Sequence, residues 1–318
     1  MTDLVIRQLS EHDAHLFHAL PDAGLVGHAR FDRKYVTVAD GGTYRPEWTR
    51  VALRGETVVA RAAWWGGPDD TEPVALDWFD FTDHAAAVEL LRTAPLRADY
   101  VLLLPPGWEQ DPAVAQAARS RTDAVLAAGM TRLVDRFHYV WTPECGVPEQ
   151  PGRLTFRPEP DDAAILSLLS RIQHGTLDAH ARRTIETTGH EAAAQEDLDF
   201  FQWCPSPREW WRTAWTAEGE LVGLHVPARN HTAPVVGFIG VLPEQRGHGY
   251  AYDLLADCTR MLAAEGAERI VADTDFGNQP MAANFAKAGY PVTQERSYFQ
   301  WPKGPEAPDA AESAGGAA

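Results

Sequence analysis

Between Val235 and Leu262 the chain is committed to one local shape. Val235-Val236-Gly237-Phe238-Ile239-Gly240-Val241 has the β-branched, apolar content of a strand. It runs into Leu242-Pro243-Glu244-Gln245-Arg246-Gly247-His248-Gly249-Tyr250-Ala251. Beyond that, Leu254, Leu255, Cys258, Met261 and Leu262 recur on one face of a helix. A strand, a glycine turn and a helix start together make an anion site. Glycine lets the backbone approach an oxyanion, the first helical N–H groups lack partners, and the helix dipole favours negative charge.

The turn is neither a Gly-x-x-x-x-Gly-Lys-Ser/Thr loop nor a Gly-x-Gly-x-x-Gly dinucleotide fingerprint. Its pattern is Arg-x-x-Gly-x-Ala, set by Arg246, Gly249 and Ala251. A second element follows in Asp273-Thr274-Asp275-Phe276-Gly277-Asn278-Gln279-Pro280-Met281, continuing to Phe285 and Ala288-Gly289-Tyr290. Asn278 or Gln279 can cap a helix that opens at Pro280, and Gly289 can end it in the left-handed conformation. Together the two segments resemble the pyrophosphate turn and the pantetheine-flanking helix of the GNAT superfamily of acyl-CoA-dependent N-acyltransferases.

The chain also repeats itself. Ala128-Gly129-Met130-Thr131-Arg132-Leu133-Val134-Asp135-Arg136-Phe137-His138-Tyr139-Val140-Trp141 aligns without gaps to Ala288 through Trp301, sharing Ala-Gly, an acid followed by Arg, aromatic residues and Trp. Leu4-Val5-Ile6-Arg7 likewise matches Leu154-Thr155-Phe156-Arg157. Similarity at so long a period indicates duplicated domains. The expected fold class is α/β (α+β), with two tandem GNAT folds, each a mixed, mostly antiparallel twisted sheet flanked by helices. The expected domains are 1–142, a degenerate GNAT-like copy without the cofactor motif, and 154–302, the acyl-CoA-binding copy. Residues 143–153 read as a Pro- and Gly-rich linker and 303–318 as a disordered tail. In the first copy, Asp80 and Asp83 flank the strand-to-helix step and would repel a pyrophosphate.

Composition sets the limits. The 318 residues are 45% hydrophobic and 23% charged, ordinary for a globular protein of two domains. The N-terminus lacks a secretory pattern, no apolar run is long enough to span a bilayer, and three scattered cysteines read as free thiols. A cytoplasmic location is expected, as monomer or homodimer, with neither membrane nor nucleic-acid partners. The net charge of -17 argues against nucleic acid and favours a cationic small molecule.

The resemblance implies acetyl-CoA or another acyl-CoA as donor, a small-molecule amine as acceptor, direct attack in a ternary complex, and no metal. On it, the coenzyme would be held by Ile239, Gly240, Val241, Arg246, Gly247, His248, Gly249, Tyr250, Ala251, Asn278, Met281 and Phe285. The Val241 N–H would meet the thioester and pantetheine. Phe285 stands where many relatives carry a proton-donating tyrosine, which leaves Tyr290 and Tyr298 as substitutes. Val235 stands where some relatives carry a basic glutamate. His225, His231, Asp273 and Asp275 remain as candidate bases, each also readable as a structural residue. Phe200, Phe201, Trp203, Trp210, Trp211 and Trp215 read as core or as pocket lining. The rival readings are a non-catalytic acyl-CoA sensor and an enzyme fed by an acyl carrier protein.

Overall fold

Residues 3–21, 23–230 and 232–302 are described by a computed structural model. They form two compact units. One takes the chain as far as Leu102, then Glu109–Arg132 and the stretch from Tyr298; the other takes Leu103–Trp108 and Leu133–Ser297.

The first unit contains β1 (Leu4–Gln8), a short α1 (Gly27–Arg30), β2 (Thr49–Arg54), β3 (Thr57–Trp65), β4 (Ala75–Phe81), α2 (His84–Thr93), β5 (Asp99–Leu104) and α3 (Pro112–Ala128). Its strands lie in the order β1-β2-β3-β4-β5, antiparallel as far as β4 and parallel between β4 and β5. Glu11–Ala19 form a 3-10 helix at whose start Asp13 Oδ1 accepts the Ser10 N–H at 2.6 Å. Its Phe17 stacks on Tyr35 and meets the edge of Trp78 in the apolar core. Asp80 is not a free charge. It is buried between Arg61 at 2.9 Å and Arg121 at 2.6 Å, so the repulsion expected of it is already neutralised.

The second unit contains β6 (Thr131–Trp141), β7 (Thr155–Pro158), α4 (Asp162–Ile172), α5 (Ala179–Thr188), α6 (His190–Trp203), β8 (Arg212–Trp215), β9 (Leu221–Arg229), β10 (Pro234–Val241), α7 (Tyr250–Ala264), β11 (Ile270–Asp275), α8 (Gln279–Lys287) and β12 (Val292–Gln300). The strand order is β12-β6-β11-β10-β9-β8-β7. Leu254, Leu255, Cys258 and Leu262 of α7 are buried as their spacing requires. Each such leucine contributes about 1.5–3 kcal/mol. Phe201, Trp210 and Trp211 are core, whereas Phe200 and Trp203 are exposed.

The units do not follow the chain halves 1–142 and 154–302. Most of β6, which ends the first half, lies in the second unit. It pairs antiparallel with β11, from Ile270↔Trp141 to Asp275↔Arg136. The reason is backbone satisfaction: β11 is fully extended and needs a partner on the side away from β10. The tail from 303 lies outside the described residues.

One irregularity prepares the site. Parallel β10 and β11 share a single register pair, Val235↔Val271, and beyond it they part. A register shift in β10 between Val236 and Phe238, a bulge against β9, bends the strand at that point.

Candidate functional site

The turn from β10 into α7 keeps its donors outward. Gly247 has φ +86° and Gly249, the N-cap of α7, has φ +77° and ψ +12°. These left-handed values suit glycine and strain any residue with a Cβ. Among the described residues, the N–H groups of Gly247, His248, Gly249, Tyr250 and Ala251 donate to no carbonyl or side chain. Consecutive unused N–H groups at positive φ make an anion nest, and the α7 dipole adds to it.

Arg153 holds that arrangement from behind. Its Nη1 donates to the His248 carbonyl at 2.9 Å and its Nη2 to the Gly249 carbonyl at 3.2 Å. In a trans peptide the N–H points opposite its carbonyl, so anchoring these two oxygens aims the N–H groups of Gly249 and Tyr250 the other way. Arg153 is itself fixed by the buried Asp253. Arg153 was part of the expected linker, where nothing local in the sequence marks it.

Strand β10 adds two more donors. The Leu242 N–H donates to the Val222 carbonyl at 2.9 Å. By antiparallel alternation Gly240 also faces β9, while Ile239 and Val241 turn their N–H groups to the other side, from which β11 has departed. The Val241 carbonyl, on that same side, accepts from Arg246 Nε at 3.2 Å. Across the gap, Asn278 caps α8 by accepting the Met281 N–H at 3.3 Å.

These elements enclose a cleft of about 500 Å³ lined by residues 239–241, Arg246, Gly247, residues 249–251, Asn278 and Met281. His248 does not line it; its exposed ring stacks on Tyr250. Arg246 is placed differently from the simple phosphate contact its position suggests. Its guanidinium donates to the carbonyls of Ile172, His174 and Gly175, the chain leaving α4. It holds that segment over the cleft and puts positive charge where the α4 dipole is negative.

A second compartment of about 360 Å³ continues from the first, sharing Ile172, Thr176, Ile239, Asn278 and Met281. Ile239, rather than Val241, is therefore the strand residue common to both. Phe285 lines this second compartment, stacked 4.4 Å from Tyr139. Its polar lining comprises Arg136, Gln173, Asp178, His180, Glu196, Asp197 and Asp273, with Thr274 and Asn278 beside them. Arg136 is engaged by Asp178 at 3.2 Å and Asp275 at 3.0 Å.

Two of the carboxylates differ in kind. Burial alone would raise the pKa of Asp273, but His138 at 3.2 Å and Arg296 at 3.2 Å outweigh it and hold the group below the usual carboxylate range. Asp197 is pushed up to about 7, first by burial and then by Asp178 and Glu196; a hydrogen bond from Gln173 Nε2 at 3.0 Å pulls the other way. Asp197 can thus take up a proton near neutrality and Asp273 cannot.

The sequence-derived acid and base candidates lie elsewhere. His225 is fully buried on β9, its Nε2 3.0 Å from Asp257, and burial lowers its pKa; it lines neither compartment. Asp275 is buried, accepts the Ala179 N–H at 2.7 Å and pairs with Arg136, so it anchors the start of α5. Tyr290 is buried with its hydroxyl 2.8 Å from Thr259 Oγ1, and burial raises its pKa far beyond use as an acid. Tyr298 lies on β12 in the part that belongs to the first unit and lines neither compartment. His231 lies outside the described residues. Gln173 and Asp197 were missed because helices α4 to α6 carry many polar residues, and no spacing tells which face inward. Among the described residues, no three His, Cys, Asp or Glu are placed to hold a metal ion, and no helix is long and apolar enough to cross a membrane.

The acetyltransferase (GNAT) family matches residues 178–290, a span that includes the nest, the splayed strands and α8. That segment is similar to the family over this span. No curated protein matches the chain in sequence. Among solved structures, a GCN5-related glucosamine N-acetyltransferase region of a fungal multi-domain GH3 beta-N-acetylglucosaminidase is similar at TM-score 0.50 and 12% identity, over 94% of this chain and 38% of that one. A GCN5-related N-acetyltransferase from Sphaerobacter thermophilus gives TM-score 0.49 and 15% identity over 93% and 94% of the two chains. A tandem GNAT protein from the clavulanic acid biosynthesis pathway gives 0.46 and 17% over 96% and 100%.

Proposed function

We propose that the second unit binds one acyl-CoA, acetyl-CoA in the simplest case, and transfers its acyl group to a small-molecule amine in a ternary complex. The observation that carries this reading is the row of unused N–H groups from Gly247 to Ala251, opening into a cleft between parted strands. The pyrophosphate would sit on the nest, and the pantetheine arm would lie between β10 and α8, replacing the missing β11 partner with its own amides. The Ile239 N–H, at the junction of the compartments, would polarise the thioester carbonyl. The amine would enter from the compartment walled by Phe285 and α6.

Calorimetric titration with acetyl-CoA tests the donor half of this reading. One site per chain is expected. Two equivalent sites, or no binding by a folded chain, would overturn it. Thiol release from acetyl-CoA with a panel of amines then separates an enzyme from an acyl-CoA sensor, which would bind without turnover.

A further inference from the structure

Gln173 is 3% exposed and lines the second compartment, yet only one end of its amide is satisfied. Nε2 donates to Asp197 Oδ2 at 3.0 Å, while Oε1 is buried without a partner among the described residues. A buried amide oxygen left unpaired is unfavourable unless a ligand supplies a donor. Beside it is a carboxylate already oriented by the same side chain. An acceptor atom next to a proton acceptor matches a nitrogen bearing two N–H groups.

We propose that Asp197 is the group that takes the proton from the attacking amine, that Gln173 Oε1 accepts the second N–H, and that the compartment selects primary amines without a carboxylate of their own. This rests on the acyl-CoA reading for the donor. The selectivity follows from charge. Asp178, Glu196, Asp197 and Asp273 line the compartment, and the guanidinium of Arg136 is already shared between Asp178 and Asp275. Asp273 is itself paired with His138 and Arg296, so the like charge an added carboxylate would meet is chiefly that of Glu196 and Asp197.

The step balances without another reactant. The nitrogen lone pair forms the C–N bond while the carbonyl π pair moves to oxygen. The adduct then re-forms the carbonyl and breaks C–S, expelling the thiolate. The bound ammonium first releases one proton to solvent; the neutral nitrogen then sheds one to Asp197 and the thiolate gains one, which Asp197 can return, so ammonium plus thioester gives amide, thiol and a proton.

The pH dependence has a definite sign. Asp197 acts only as the carboxylate, so the rate rises with pH through about 7. The charged and titratable groups around it are Asp178 and His180 from the α5 segment, Glu196 on its own helix, Arg136 from β6 and Asp273 from β11. The bond from Gln173 favours the ionised form, so Gln173→Leu should move the rising limb to higher pH.

The test uses the full chain with propylamine and 3-aminopropanoate as probes. On the chain with and without coenzyme A, calorimetry should show propylammonium binding at least about tenfold tighter than 3-aminopropanoate, or about 1.4 kcal/mol. Asp197→Asn is near-isosteric and should keep acetyl-CoA affinity while slowing thiol release with propylamine by roughly a hundredfold or more. Carbon NMR of labelled aspartate should show a group titrating near neutrality that vanishes in D197N and shifts upward in Q173L. Equal binding of the two probes, no binding of propylammonium, unchanged turnover in D197N, or an unmoved titration in Q173L would each overturn the proposal. Acetyl-CoA binding by the wild type reports separately. Its failure while propylammonium still binds rejects the donor and not the amine site.

Discussion

The step from β4 into α2 and the step from β10 into α7 have the same local design, a strand that ends in a turn and a helix that begins at once. They differ in what takes the helix's first N–H groups. At α2 the chain supplies its own acceptors. Asp83 Oδ1 accepts the Ala86 N–H at 3.0 Å, and the N–H groups of Thr82 and Asp83 donate to the Val59 carbonyl at 2.9 and 3.3 Å. Arg54 then neutralises Asp83 from outside at 2.6 Å. At α7 a glycine replaces the capping aspartate, and the donors stay unused. A well-capped helix has little left for an anion; a binding helix start gives up about 1 kcal/mol of cap to keep its donors open.

Three substitutions would break or sharpen this contrast. The largest effect is expected of Gly249→Val. Strain at φ +77° costs about 1–2 kcal/mol, and relief of it would turn the neighbouring N–H groups away. Acyl-CoA affinity should fall by more than roughly tenfold in a chain with unchanged circular dichroism; unchanged affinity by calorimetry would reject the nest as the anion site. Arg153→Ala comes next. It removes two charge-assisted hydrogen bonds, worth about 1.5–3 kcal/mol each, from the carbonyls that orient the nest. About a tenfold loss of affinity is expected, together with a fall in Tm because the buried Asp253 loses its partner.

The smallest effect belongs to Asp83→Ala. Loss of the α2 cap should destabilise the chain by about 1 kcal/mol and leave acyl-CoA binding unaltered. The pKa of Asp83 is depressed first by its hydrogen bond from Arg54 and then by the Ala86 N–H. Its contribution is therefore present above the ordinary carboxylate pKa and lost as pH falls through the depressed one. Urea unfolding of wild type and variant should converge on acidification. A difference that persists in acid would mean the residue acts through packing.

Much of the fold was legible because its signals are local. Gly129 and Gly289 end helices at positive φ, and Pro112 and Pro280 open them. The nest was legible for the same reason, since two glycines beside a helix start need no distant partner. What could not be read depends on contacts far apart in sequence. His225 and Asp275 looked like free acid–base groups until Asp257 and Arg136 were found against them. Asp197 depends on Gln173, 24 positions earlier, and Arg153 on a helix a hundred positions later. The partner of β11 was hidden too, for pairing across 135 residues leaves no periodic trace.

That last pairing bears on how such a protein could be divided. A polypeptide beginning at residue 154 would carry every residue of the nest and still lack β6. β11 would become a bare edge, with its N–H and C=O groups open to other chains and a route to aggregation. Arg136 and Tyr139 would vanish from the walls around Phe285. With β6 paired to β11, residues 154–302 cannot be expressed alone without opening their own sheet.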